Sequence, residues 1–154
     1  MRNFWQEASS LAIRTGADIV GGFDVGFDRE IPEETKDALM DFVYWVEDRY
    51  ALPVTLWVDF KYRHYLVDRN KRRVGFKFYW ADFSTFPMFE NFDDLPMIEL
   101  AVRREKSSTE EILTAFIEAI THYFAWLSRI DMRFFQPDEA LTEEILRAYQ
   151  TRGE

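Results

Sequence analysis

The sequence predicts an α+β fold, with helices packed on a twisted, mainly antiparallel sheet. Three observations carry this. Apolar residues recur with a period of about 3.6 at both ends of the chain, alternate with a period of two in the middle, and return to the helical period after the last alternating run. The strongest helical signal is Ser107 to Arg129, in which Ile112, Phe116, Ile120, Tyr123 and Leu127 repeat at steps of three and four. Ser108 followed by Glu111 has capping-box spacing, and Glu110 and Glu111 suit the positive end of the helix dipole.

The remaining elements follow in order. Asn3 to Arg14 reads as a short helix with Phe4, Ala8, Leu11 and Ala12 on one side. Four of the six glycines then fall between Gly16 and Gly26, without P-loop or dinucleotide spacing, so residues 1–30 read as an arm or short helix with a strand in a tight bend. Pro32 with Glu33 and Glu34 opens a helix that carries Leu39, Phe42, Val43 and Val46 inward, and Leu52-Pro53 closes it. Val54 to Phe60 alternates as a strand. Tyr62 to Asp68 and Arg72 to Trp80 read as a hairpin turned at 68–71, and Met97 to Arg103 as a further strand. A last helix spans about Asp138 to Gln150. No repeat or linker divides residues 31–154, which are expected to form one domain.

Composition narrows the function classes. At 154 residues the chain is long enough to bury a core without staples, and it has no cysteine, which excludes disulfides, thiol catalysis and thiolate metal sites. Its 28 acidic and 19 basic residues give a net charge of −9, which disfavours a general nucleic-acid or anionic-membrane binder. No stretch reaches the length of a membrane span. The first residues lack an apolar run of signal-peptide length, and a cytoplasmic address is the expectation.

One face of the long helix stands apart. Opposite its large apolar residues lie Thr114, Ala115, Glu118, Thr121, His122 and Ala125, and Glu118 and His122 are four residues apart. The stretch FIEAITHYFAWL resembles the active-site helix of zincin metallopeptidases of the small SprT-like and ImmA/IrrE type, in which two histidines at i and i+4 hold zinc and a glutamate between them activates water. Aligned on His122, Tyr123 and Trp126, this chain keeps the second histidine, has Glu118 at the first ligand position and has Ala119 at the general-base position. The resemblance covers roughly Glu33 to Arg152. It implies an early helix, a sheet ending in a substrate-side edge strand, the motif helix, and a following helix that brings a third ligand. It also implies a pseudo-metallopeptidase that binds a protein or peptide and has no catalytic residue.

By the same resemblance a vestigial metal site would use Glu118, His122 and Glu144, with zinc or a similar divalent ion as the alternative to no cofactor. The plainer alternative is that Glu118 and His122 form a weak helical pair worth ~0.2–0.5 kcal/mol. Water activation would need a base other than Ala119, so an enzyme with a rewired Glu/His site is the second reading.

A third reading rests on charge. Lys61, Arg63, Arg69, Lys71, Arg72, Arg73 and Lys77 face only Asp68 within 61–77, a local charge of +6 that leaves −15 for the rest. Interleaved with Tyr62, Tyr65, Phe76, Phe78 and Tyr79, these residues suit nucleic acid or an acidic partner, or else act as charges that keep a hairpin edge from pairing. The connection Ala81 to Pro96 places Phe83, Phe86, Phe89 and Phe92 every third residue and reads as a binding loop or a satellite core.

Overall fold

The computed structural model describes residues 2–14, 21–80, 96–103 and 108–153. Helix α1 (Phe4–Arg14) is followed by strand β1 (Phe23–Phe27), helix α2 (Glu33–Arg49) and strand β2 (Leu56–Lys61). Then come the short strands β3 (Leu66–Val67) and β4 (Arg73–Val74), strands β5 (Phe76–Tyr79) and β6 (Met97–Ala101), and helices α3 (Thr109–Leu127) and α4 (Glu139–Gln150). The Phe-rich connection 81–95 and residues 15–20 of the glycine-rich stretch lie outside the described residues.

The class is α+β as expected, but the sheet is mixed rather than mainly antiparallel. Its order is β1-β2-β6-β5, with β1 parallel to β2, β2 parallel to β6, and β5 alone antiparallel to β6. The β1–β2 pair is joined through α2, the kind of long crossover that parallel neighbours require. Alternation marks a strand without stating its direction, which is why the sequence left this open to error. The expected hairpin is also shorter. Leu66–Val67 pairs with Arg73–Val74, and after Gly75 the second arm leaves to pair Phe76–Tyr79 with β6.

Helix α1 and strand β1 contribute to the same core. Trp5 is fully buried, and β1 sits in register with β2 from Phe23–Leu56 to Phe27–Phe60. The glycine pair at 21–22 serves this placement. Gly22 N–H donates to the Leu52 carbonyl (3.0 Å), Leu56 N–H donates to the Gly22 carbonyl (2.9 Å), and Gly22 has φ +92°. A methyl group at Gly21 would stand 2.0 Å from the Leu52 oxygen, so only glycine fits there.

Helix α3 is the spine. Ser108 caps it by accepting from Glu111 N–H (3.1 Å), and eleven of its nineteen residues are buried, so it is surrounded rather than surface-lying. Phe116 and Ile120 pack with Leu56, Val58, Phe60, Ile98 and Leu100 from the sheet. On another side Trp5 Nε1–H donates to Thr121 Oγ1 (2.8 Å), and Thr121 O–H donates back to the Ile117 carbonyl. Tyr123 O–H donates to the Val54 carbonyl, which ties α3 to the entry of β2.

The Trp5–Thr121 bond gives a direct test. Thr121→Val preserves shape but leaves a buried indole N–H without its acceptor, which should cost ~1–3 kcal/mol in chemical denaturation, whereas Thr121→Ser should retain most of the stability. Equal midpoints for the valine and serine variants would show that this bond does not anchor α1.

Candidate functional site

The site forms where α3 passes beneath the end strand of the sheet. Strand β5 has β6 on one side and no strand on the other among the described residues. Between β5 and α3 lies a cavity of about 670 Å³ lined by Phe76, Phe78, Trp80, His122 and Met132, with Lys77 at the strand. A methyl group at Gly75 would lie 3.5 Å from the Ala115 Cβ, so the bend before β5 rests on Ala115. Ala115, on the small face of α3, therefore faces the sheet at this point.

His122 is held in an aromatic nest. Its ring meets Phe76 (5.3 Å, edge-on), Phe78 (6.0 Å) and Phe135 (5.0 Å, edge-on). Its Nδ1 lies 2.9 Å from the Glu118 carbonyl oxygen. A carbonyl only accepts, so Nδ1 carries the hydrogen and Nε2 is left as the acceptor, away from the helix backbone. Burial pulls the imidazole pKa below its ordinary value of 6.5, partly opposed by the Glu118 carbonyl, so the ring is chiefly neutral at pH 7. The Glu118 carboxyl is shifted upward, first by burial and then by the charge of Glu139.

The residues expected to ligate metal do not assemble. Glu118 and His122 share the helix face, and the His122 ring bonds to the Glu118 backbone carbonyl. Glu144 is exposed and acts electrostatically on Tyr50, whose hydroxyl pKa is raised first by burial. The α4 carboxylate that acts on Glu118 is Glu139. Among the described residues no group of three or more His, Asp or Glu is placed to hold an ion, so the donor set does not fit zinc. Ala119, at the general-base position, is fully buried and does not line the cavity.

The basic residues divide. Lys61 pairs with Asp59 (3.3 Å) and Arg72 with Asp68 (3.2 Å). Arg63, Arg69, Lys71 and Arg73 have no carboxylate partner among the described residues, and Arg73 lies over the Tyr65 ring (4.4 Å). Asp68 accepts from Asn70 and Arg72 N–H (both 2.9 Å), and Lys71 takes φ +61° at the tip, so this charge is carried on a firm turn. A second cavity of about 570 Å³ lies among Tyr62, Arg63, His64, Lys77, Glu99 and Arg103. Sequence reasoning placed Phe76, Phe78 and Trp80 on one face but missed Met132 and Phe135, which follow α3 in a segment with no period to read.

Comparison with protein-family models, with curated proteins and with solved structures finds no match to this chain.

Two outcomes follow from the site. With only two histidines in the chain, a proton NMR titration resolves each, and His122 should titrate below pH 6.5. Because its folded pKa is depressed, the stability linked to it is complete above 6.5 and is lost as pH falls toward the folded value. The raised Glu118 value works in the opposite sense, so the acid-induced loss is best seen as the difference between wild type and His122→Phe. A midpoint for His122 at or above 6.5 would contradict the buried neutral ring. Separately, Ala119→Leu should overpack a sealed position and cost ~1–3 kcal/mol, read as a lower melting temperature. An unchanged melting temperature would mean that position 119 opens to the cavity.

Proposed function

We propose that this chain is a catalytically silent, zincin-like protein that binds an extended polypeptide along the open edge of β5, above the cavity floored by His122. The observation that carries the reading is the direction of the backbone groups on that edge. Ala101 N–H donates to the Gly75 carbonyl (2.9 Å), and Phe76 stands opposite Leu100 in antiparallel register. Lys77 and Tyr79 therefore spend their backbone groups on β6, whereas the N–H and C=O of Phe76 and Phe78 point outward. An added strand would satisfy them, the main-chain bonds supplying affinity and the cavities selecting side chains.

The order of elements supports the zincin-like part of the reading: an early helix, a sheet that ends in β5, the motif helix beneath that strand, and a terminal helix. The silent part of the reading rests on Ala119, an apolar residue sealed in the core where the resemblance requires a glutamate.

Hydrogen exchange tests the reading. In the free protein the amides of Phe76 and Phe78 should exchange quickly and those of Lys77 and Tyr79 slowly. A reduced, carboxymethylated polypeptide should then slow Phe76 and Phe78 without being cleaved, with or without added zinc. Chelator-sensitive cleavage by the unaltered protein, or unchanged exchange at both amides, would overturn the proposal.

A further inference from the structure

The two faces of β5 differ in chemistry, and that difference specifies what an added strand must carry. Phe76 and Phe78 project toward α3, where both meet the His122 ring. Lys77 and Tyr79 project to the other face of the sheet, where Tyr79 O–H donates to Glu99 and the Lys77 ammonium lies 5.4 Å from the Tyr79 ring centroid. Arg63 and Arg103 border the same cavity as Lys77 on that face. Glu99, the carboxylate directly opposite Lys77, accepts from Tyr79 and keeps its charge, and among the residues that border this cavity Lys77 and Arg63 outnumber it.

Resting on the edge-binding reading, we propose that the partner is an acidic polypeptide segment whose side chains alternate apolar and carboxylate. Side chains of an added strand alternate between faces with a period of two, whichever way it runs. One set enters the aromatic cavity over His122, and the other stands beside Lys77. Residues directly opposite on one face have Cβ atoms ~4.5–5.5 Å apart, close enough for a carboxylate to pair with the Lys77 ammonium. A second copy of this chain is the poorer occupant. Antiparallel pairing of two β5 edges that matches Phe76 with Phe78 would set Lys77 against Lys77, and like charges directly opposite are destabilising. A polyphosphate chain would gain from the cations but has no donors for the outward carbonyls of Phe76 and Phe78.

Three ten-residue peptides of equal apolar content decide the matter: alternating valine with glutamate, with glutamine, and with lysine. Each is measured by fluorescence anisotropy against the full chain at low and raised salt, beside a single-stranded oligonucleotide. The glutamate peptide should bind at least tenfold more tightly than the other two, with the advantage shrinking as salt rises. Lys77→Glu, which lies at a half-buried edge and not in the core, should transfer the preference to the lysine peptide. Equal binding of all three peptides would overturn the charge assignment and leave edge binding intact. No binding by any peptide, with unprotected Phe76 and Phe78 amides, would overturn both. An oligonucleotide that binds more tightly than the glutamate peptide would reassign the basic face to nucleic acid.

Discussion

The structure depends on one aromatic contact point. Phe116, fully buried at the middle of α3, meets Phe23 of β1 (6.0 Å), Phe42 of α2 (5.5 Å) and Phe60 of β2 (5.3 Å). Four elements from distant parts of the chain are joined through this one ring. Edge-on pairs of this kind contribute beyond their buried area, ~0.5–1.5 kcal/mol each. Phe42 passes the contact on to Tyr149 of α4 (4.9 Å), and Trp5, Tyr50 and Phe124 form a second cluster that secures α1. Phe23, Phe42, Phe60 and Phe116 are thus joints between layers.

That same packing shapes the site. Large side chains fill most of α3's circumference, and on the side that faces the end of the sheet Gly75 rests on Ala115. The strand is drawn close enough for Phe76 and Phe78 to surround His122, and their rings exclude the water that would otherwise stabilise an imidazolium. The neutral histidine is therefore a consequence of strand placement. The zincin-like reading draws on this geometry, in which a motif helix runs beneath an edge strand, and it treats the cleft as a place to hold a chain and not to cut one.

Charge is arranged with equal economy. The strongly acidic molecule carries seven of its 19 basic residues between positions 61 and 77, on the turn and strands beside this edge, where Asp68 and Asp59 each engage one of them. Exposed edges invite pairing with copies of the same chain, and a lysine at mid-strand opposes that while still welcoming a partner of opposite sign. Protection against self-association and selection of a partner can reside in one residue, Lys77, since it borders both cavities.

Helix α3, its Ser108 cap, α2, α4 and the alternating strands were legible from the sequence, because hydrophobic period and capping chemistry are local properties of neighbouring residues. The basic cluster at 61–77 and the odd face with Glu118 and His122 were equally plain as lists of side chains. Strand direction and order were not, since nothing in Val54–Phe60 or Met97–Arg103 names a partner, and two parallel pairings came out where antiparallel ones were expected. The membership of β1 and Trp5 in the core, the separation of Glu144 from Glu118 and the burial of Ala119 all arise from contacts between residues far apart in the chain. Local sequence determined the elements and their apolar faces; only tertiary packing decided which strand became the open edge, and with it where His122 and Lys77 stand.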